Sequence, residues 1–128
     1  MLIVAVVLAA LAALVHVYIF VLETLRWEEP RTRAIFGTSE RDAAITRPLA
    51  ANQGVYNLML AIVTAVGIAL VWANPAAGFA LLFAGTASML GAALYLAASD
   101  RTKLRAAATQ GLFPLLAIAT AIPAAAIG

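Results

Sequence analysis

Residues 2–25 read LIVAVVLAALAALVHVYIFVLETL, and within this stretch the single formal charge is Glu23, close to its end. A helix that crosses a bilayer needs about 20 predominantly apolar residues, since the hydrocarbon core is about 30 Å thick and each helical residue rises about 1.5 Å. In hydrocarbon every backbone N–H and C=O must be satisfied internally, so a lone apolar segment of this length reads as a helix. It is not read as a signal peptide. It lacks a basic leading region, exceeds the length of a signal core and is followed by no small-residue cleavage site. It ends instead in Glu23, Arg26 and Trp27, the residues of a helix meeting a membrane–water interface.

Outward from this stretch, three more segments satisfy the same criterion: 49–72, 76–98 and 104–127. Ala73-Asn74-Pro75 forms a tight turn between spans two and three, with Pro75 placed to open the next helix. Composition agrees with four spans. Of the 128 residues, 65% are hydrophobic and 11% charged, against roughly half and a quarter in a soluble domain. The mean hydropathy is +1.01. The expected fold is an all-α integral membrane protein, one four-transmembrane-helix bundle occupying residues 1–128 as a single domain.

The absence of cysteine excludes disulfides, thiolate metal sites and cysteine nucleophiles. One histidine and six carboxylates are too few for a convincing metal cluster, so neither metal nor cofactor is expected. A net charge of +2 is no nucleic-acid signature, because the basic residues form no continuous stripe.

Charge placement sets the orientation. Arg26, Arg31, Arg33, Arg41 and Arg47 lie between spans one and two; Arg101, Lys103 and Arg105 lie between spans three and four. These eight are all the Lys and Arg residues in the chain. The positive-inside rule therefore puts loops 26–48 and 99–105 in the cytoplasm and both termini outside, in a bacterial inner membrane. Within the first loop, Gly37 breaks the chain, and Thr38 or Ser39 caps a short helix running through Thr46, with Asp42 three residues after Ser39. That helix is expected to lie on the headgroups, or else to be a plain connector that bears topogenic charge. Arg47-Pro48 is expected to open span two.

The chain contains an internal similarity. Ala51-Asn52-Gln53-Gly54-Val55-Tyr56-Asn57-Leu58 resembles Ala108-Thr109-Gln110-Gly111-Leu112-Phe113-Pro114-Leu115, with four of eight positions identical, including the chain's only two glutamines. Tyr18 precedes Glu23 by five residues and Tyr95 precedes Asp100 by five. The reading is two tandem hairpin repeats in parallel orientation, the first carrying a longer loop. Chance similarity between apolar segments is the alternative.

Polar side chains inside a membrane are costly and tend to face protein. His16, Tyr18 and Glu23, then Asn52, Gln53, Tyr56 and Asn57, then Tyr95 and Ser99, then Thr109 and Gln110 all fall in the cytoplasmic halves of their spans. His16 and Glu23, seven residues apart, share a helical face about 10 Å apart along the axis. Gln53, Tyr56 and Asn57 share another. Convergence of these faces would make a pocket open to the cytoplasm, with Glu23 at its mouth and His16 at its floor. The ligand-binding candidates are His16, Glu23, Asn52, Gln53, Tyr56, Asn57, Tyr95 and Gln110. Each has a structural alternative: His16 as a partner between helices, Glu23 as the mate of Arg26, the amides as glue across helices, the tyrosines as belt residues. Ala84, Ser88 and Ala92, at four-residue spacing, form a packing face inside the bundle or in a homodimer.

His16-x-Tyr18, Glu23, Trp27-x-x-Pro30, Phe36 and Ala51-Asn52-Gln53-Gly54-x-Tyr56-Asn57 resemble a family of small bacterial membrane proteins catalogued as a domain of unknown function, number thirteen-hundred-and-four. The resemblance covers nearly the whole chain, and the Ala-Asn-Gln-Gly-x-Tyr-Asn run is its most specific part. It implies four spans and about this length. It implies no activity. His16, Glu23, Asn52, Gln53, Tyr56 and Asn57 match its pattern.

The function expected is binding of a small-molecule or lipid ligand in the inward-facing pocket, in contact with the bilayer and with no nucleic acid. The alternatives are a proton-coupled exporter built on Glu23, a membrane enzyme pairing His16 with Glu23 as a base, and a scaffold subunit. No nucleophile accompanies the histidine, which weighs against the enzyme.

Overall fold

The computed structural model describes residues 1–127, and it is helical almost throughout. Helix α1 spans Leu2–Phe20 and runs directly into a π-helical turn, Val21–Leu25. A short α2, Pro30–Phe36, begins on its proline and ends at Gly37. Then come α3, Glu40–Leu70, and α4, Pro75–Ser99. A 3-10 turn, Arg101–Lys103, leads into α5, Leu104–Ile127. Among the described residues four helical segments are long and apolar enough to cross a membrane: Leu2–Leu25, Glu40–Leu70, Pro75–Ser99 and Arg101–Ile127. This is the make-up of a multi-pass membrane protein.

Burial supports that reading through residue size. The buried apolar positions are mostly alanine, among them Ala5, Ala9, Ala12, Ala61, Ala93, Ala107, Ala117 and Ala121. The large aliphatic residues face out: Ile3, Leu14, Val55, Ile62, Leu94 and Ile122 are all exposed. A water-soluble protein would lose free energy on every one of these side chains. In lipid the outward residues need no cover, and small residues between helices let backbones approach closely.

The described residues fall into two compact units, 1–15 with those from 60 onward, and 16–59. In the first, Ala5, Ala9, Leu82, Ala117 and Ala121 form a core, flanked by Leu8, Ile68, Phe79 and Phe83. Asn74 caps α4 by accepting a hydrogen bond from the Ala77 amide at 3.2 Å, with Pro75 at the first helical position. Asp100 accepts hydrogen bonds from the hydroxyl and amide of Thr102, and these hold its carboxyl below the usual aspartate range.

In the second unit the structure departs from the expected helix boundary. The helix capped by Ser39, whose hydroxyl accepts from the Asp42 amide at 3.1 Å, does not stop at Thr46. It continues through Pro48 as part of one 31-residue α3. Proline inside a helix removes the hydrogen bond to the carbonyl four residues back. Here that residue is Ala44, which is exposed, so its carbonyl can be solvated from outside and the helix need not end. At Gly37 the backbone turns left-handed, with φ 64°, and ends α2 where a residue with a Cβ would be strained.

The buried positions also recur. Ala5, Ala9, Ala12 and His16 are buried, and so are Leu82, Thr86, Met89 and Ala93, each 77 residues later. Ala50, Gly54 and Thr64 are buried, as are Ala107, Gly111 and Ala121, each 57 residues later.

Candidate functional site

The unit of residues 16–59 holds a line of polar contacts between the end of α1 with its π-turn and the start of α3. The Asn57 side-chain amide donates to Glu23 Oε2 at 2.8 Å and to the Gln53 carbonyl at 3.1 Å. One step along, the Thr24 hydroxyl donates to the Ala51 carbonyl at 3.1 Å. Beyond it, Trp27 Nε1 donates to the Thr46 hydroxyl at 3.1 Å, and Thr46 in turn donates to the Asp42 carbonyl at 2.7 Å. Glu28 then meets Arg47 at 3.3 Å. The partners fall from 57 through 51 to 46 and 47 as the residues ascend from 23 to 28, the signature of two antiparallel segments joined by a polar seam.

Two sequence features make this seam. The first is Gly54, which is buried; a Cβ there would overlap Thr24 Oγ1 and stand 3.0 Å from the Thr24 backbone nitrogen. Only a residue without a side chain lets the two backbones come close enough for 23 and 24 to reach 57 and 51. The second is the π-turn. Its wider ring takes up an extra residue, so the residues after it are rotated relative to those before it. Glu23 lies inside that turn. The regular α-helical spacing from which His16 and Glu23 were expected to share a face therefore does not run unbroken from one to the other. Glu23 is directed to Asn57, and His16 is buried separately on α1, 1% exposed.

The other expected site residues are not drawn into one pocket. Asn52, Gln53 and Tyr56 lie on the exposed side of α3, Tyr56 at 62% exposure. Tyr95 is 75% exposed and Gln110 half-buried, both in the other unit. The inward face of α3 is the small one, Ala50, Gly54 and Ala61, because close backbone approach excludes amides and rings. That stripe was the available signal for which face turns in.

A surface cleft of about 380 Å³ opens beside the seam, lined by Thr24, Leu25, Arg26, Trp27, Glu28, Glu29, Pro30 and Arg47. None of these was among the candidate ligand residues except through their neighbour Glu23. Arg26 pairs with Glu29 at 3.8 Å, and the Trp27 ring meets Phe36 edge-on at 5.0 Å between centroids. The Arg33 guanidinium donates to the Glu28 carbonyl at 3.2 Å, fixing the loop floor. The cleft thus offers two guanidinium and two carboxylate groups around an indole. Among the described residues, no three His, Asp or Glu side chains gather closely enough to hold a metal ion.

An all-helical, multi-pass membrane protein with a polar seam and a mixed-charge cleft on its first helical pair is the class these features define. The chain belongs to the family described as protein of unknown function (DUF1304), whose model matches residues 10–122. No curated protein and no solved structure matches the chain.

Proposed function

We propose that this is a bacterial inner-membrane protein, with both termini outside, that binds one amphipathic ligand where the first two spans meet the cytoplasmic interface. The observation that carries the reading is the Glu23–Asn57 hydrogen bond lying next to the charged cleft. An ionisable side chain at membrane depth with a specific partner is a functional candidate by default.

Helix length gives the depth. The 31 residues of α3 extend about 46 Å, against about 30 Å of hydrocarbon. Counted back from Leu70, the apolar part begins near Ala51. Asn57 then lies about 9 Å inside the boundary, and Thr46 and Arg47 lie outside it. The seam crosses from lipid depth to headgroup depth, and an amphiphile has the same polarity gradient. The recurrence of buried positions supports two tandem hairpin repeats. In the second repeat Pro114 stands where the first has Asn57, and Asp100 caps a turn instead of pairing across the hairpin. The polar pair is thus a property of the first hairpin.

Native mass spectrometry of the protein extracted in mild detergent tests this. One retained lipid-mass adduct per chain is expected, lost in Asn57→Ala with helical circular dichroism unchanged. Equal retention by Asn57→Ala would contradict the assignment.

A further inference from the structure

The cleft's charge pattern specifies its ligand further; this rests on the amphiphile-binding reading above. We infer that the headgroup bound is zwitterionic, a phosphate with a primary ammonium, as in phosphatidylethanolamine. The juxtaposition behind this is Arg26 and Arg47 with Glu28 and Glu29 around one cleft.

Two cations and two anions make the lining neutral overall. An anionic headgroup would leave its charge uncompensated against the carboxylates, whereas a zwitterion can satisfy both signs. Both existing ion pairs are loose. Arg26–Glu29 is 3.8 Å with side chains 59% and 54% exposed, and Arg47–Glu28 is 3.3 Å at 70% and 46%. Exposed pairs of this kind are weak and are readily exchanged for a ligand's groups. Guanidinium groups match phosphate oxygens through paired N–H donors. A primary ammonium has three donors for Glu28 and Glu29, whereas a quaternary choline has none. The polar seam fixes where the headgroup stops, and exposed Leu25, at 66%, borders the cleft for the first part of an acyl chain.

The chain has two tryptophans, Trp27 in the cleft and Trp72. Trp72→Phe therefore leaves one reporter at the site. In nanodiscs, Trp27 fluorescence is titrated with lipids brominated near the glycerol and bearing ethanolamine, choline or glycerol headgroups. The expected result is saturable quenching, with the ethanolamine lipid roughly tenfold ahead of the other two. Glu28→Gln with Glu29→Gln should pass the preference to the anionic glycerol lipid, which a merely structural role for these carboxylates would not do. Saturable quenching without headgroup preference, or a preference unmoved by the double substitution, overturns the zwitterion assignment and leaves the amphiphile site standing. Quenching that never saturates with any lipid overturns the site itself. Displacement by glycerophosphoethanolamine at the same concentration as the lipid would make the ligand a soluble zwitterion and overturn the lipid assignment.

Discussion

At Gly54 the structure's demands are local and sharp. A Cβ at Gly54 would overlap Thr24 Oγ1 with backbone close behind, so the contact cannot be relieved by a rotamer alone. Gly54→Ala should cost about 1–3 kcal/mol, the range for overpacking. Gly91 is the internal control: nothing lies within 4 Å of its added Cβ. Gly91→Ala should therefore be stabilising by about 0.5–1 kcal/mol, because alanine is the better helix former. Unfolding midpoints of the two variants in one detergent, read by circular dichroism, should move in opposite directions. Asn57→Ala removes the amide that donates to Glu23 Oε2. It should destabilise by about 1–3 kcal/mol, the cost of a half-buried acceptor left unsatisfied. Glu23 and Asn57 were legible as candidates because polar groups stand out in an apolar chain. Their pairing was not, since it depends on the phase of two helices and on Gly54.

Elements show where sequence periodicity succeeds and where it fails. Ser39 is one of the two caps the sequence offers, and it is legible because capping is a contact within three residues; Asn74, expected only as part of a turn, caps α4 by the same short reach. The fate of Pro48 could not be read the same way. It depends on whether the Ala44 carbonyl can be solvated, and that requires knowing how far α3 projects from lipid. The π-turn was also hidden, because it appears in no composition signal. It predicts a deletion tolerance: loss of Val21 lets Val21–Leu25 relax to a regular α-turn while the flanking faces keep their phase. Deleting Ala84 from the middle of α4 rotates one half of a regular helix against its contacts. Membrane insertion and Trp27 emission should survive the first deletion and fail after the second. At Asp100 the Thr102 hydrogen bonds depress the carboxyl's proton affinity. The cap is therefore present above the ordinary aspartate value and is lost as pH falls through the lowered one. The Thr102 amide resonance should titrate below the normal aspartate range and lose its titration in Asp100→Asn.

The solvent decides the molecule-wide reading. Large residues outside and alanines inside reverse the size order of a soluble core; composition revealed the apolar solvent but not that order, which is why the spans were legible and their inward faces were not. Orientation rests on the eight basic residues in two loops. Alkaline phosphatase fused after Ile127 should be active, and the same enzyme inserted after Arg33 should be silent. The reverse pattern would move the cleft to the other face of the membrane. The division into units at residues 16–59 was not legible, because it reflects which helix segments touch rather than what they are made of.

On the proposed reading, an amphiphile's headgroup sits beside the Glu23–Asn57 seam. The decisive measurement is photocrosslinking with a phospholipid carrying a photoreactive headgroup, activated in native membranes and mapped by peptide mass spectrometry. Adducts are expected to concentrate on residues 24–30 and on Arg47. Adducts spread evenly over outward-facing positions such as Val17, Ile62 and Leu94, with no excess at the cleft, would contradict it.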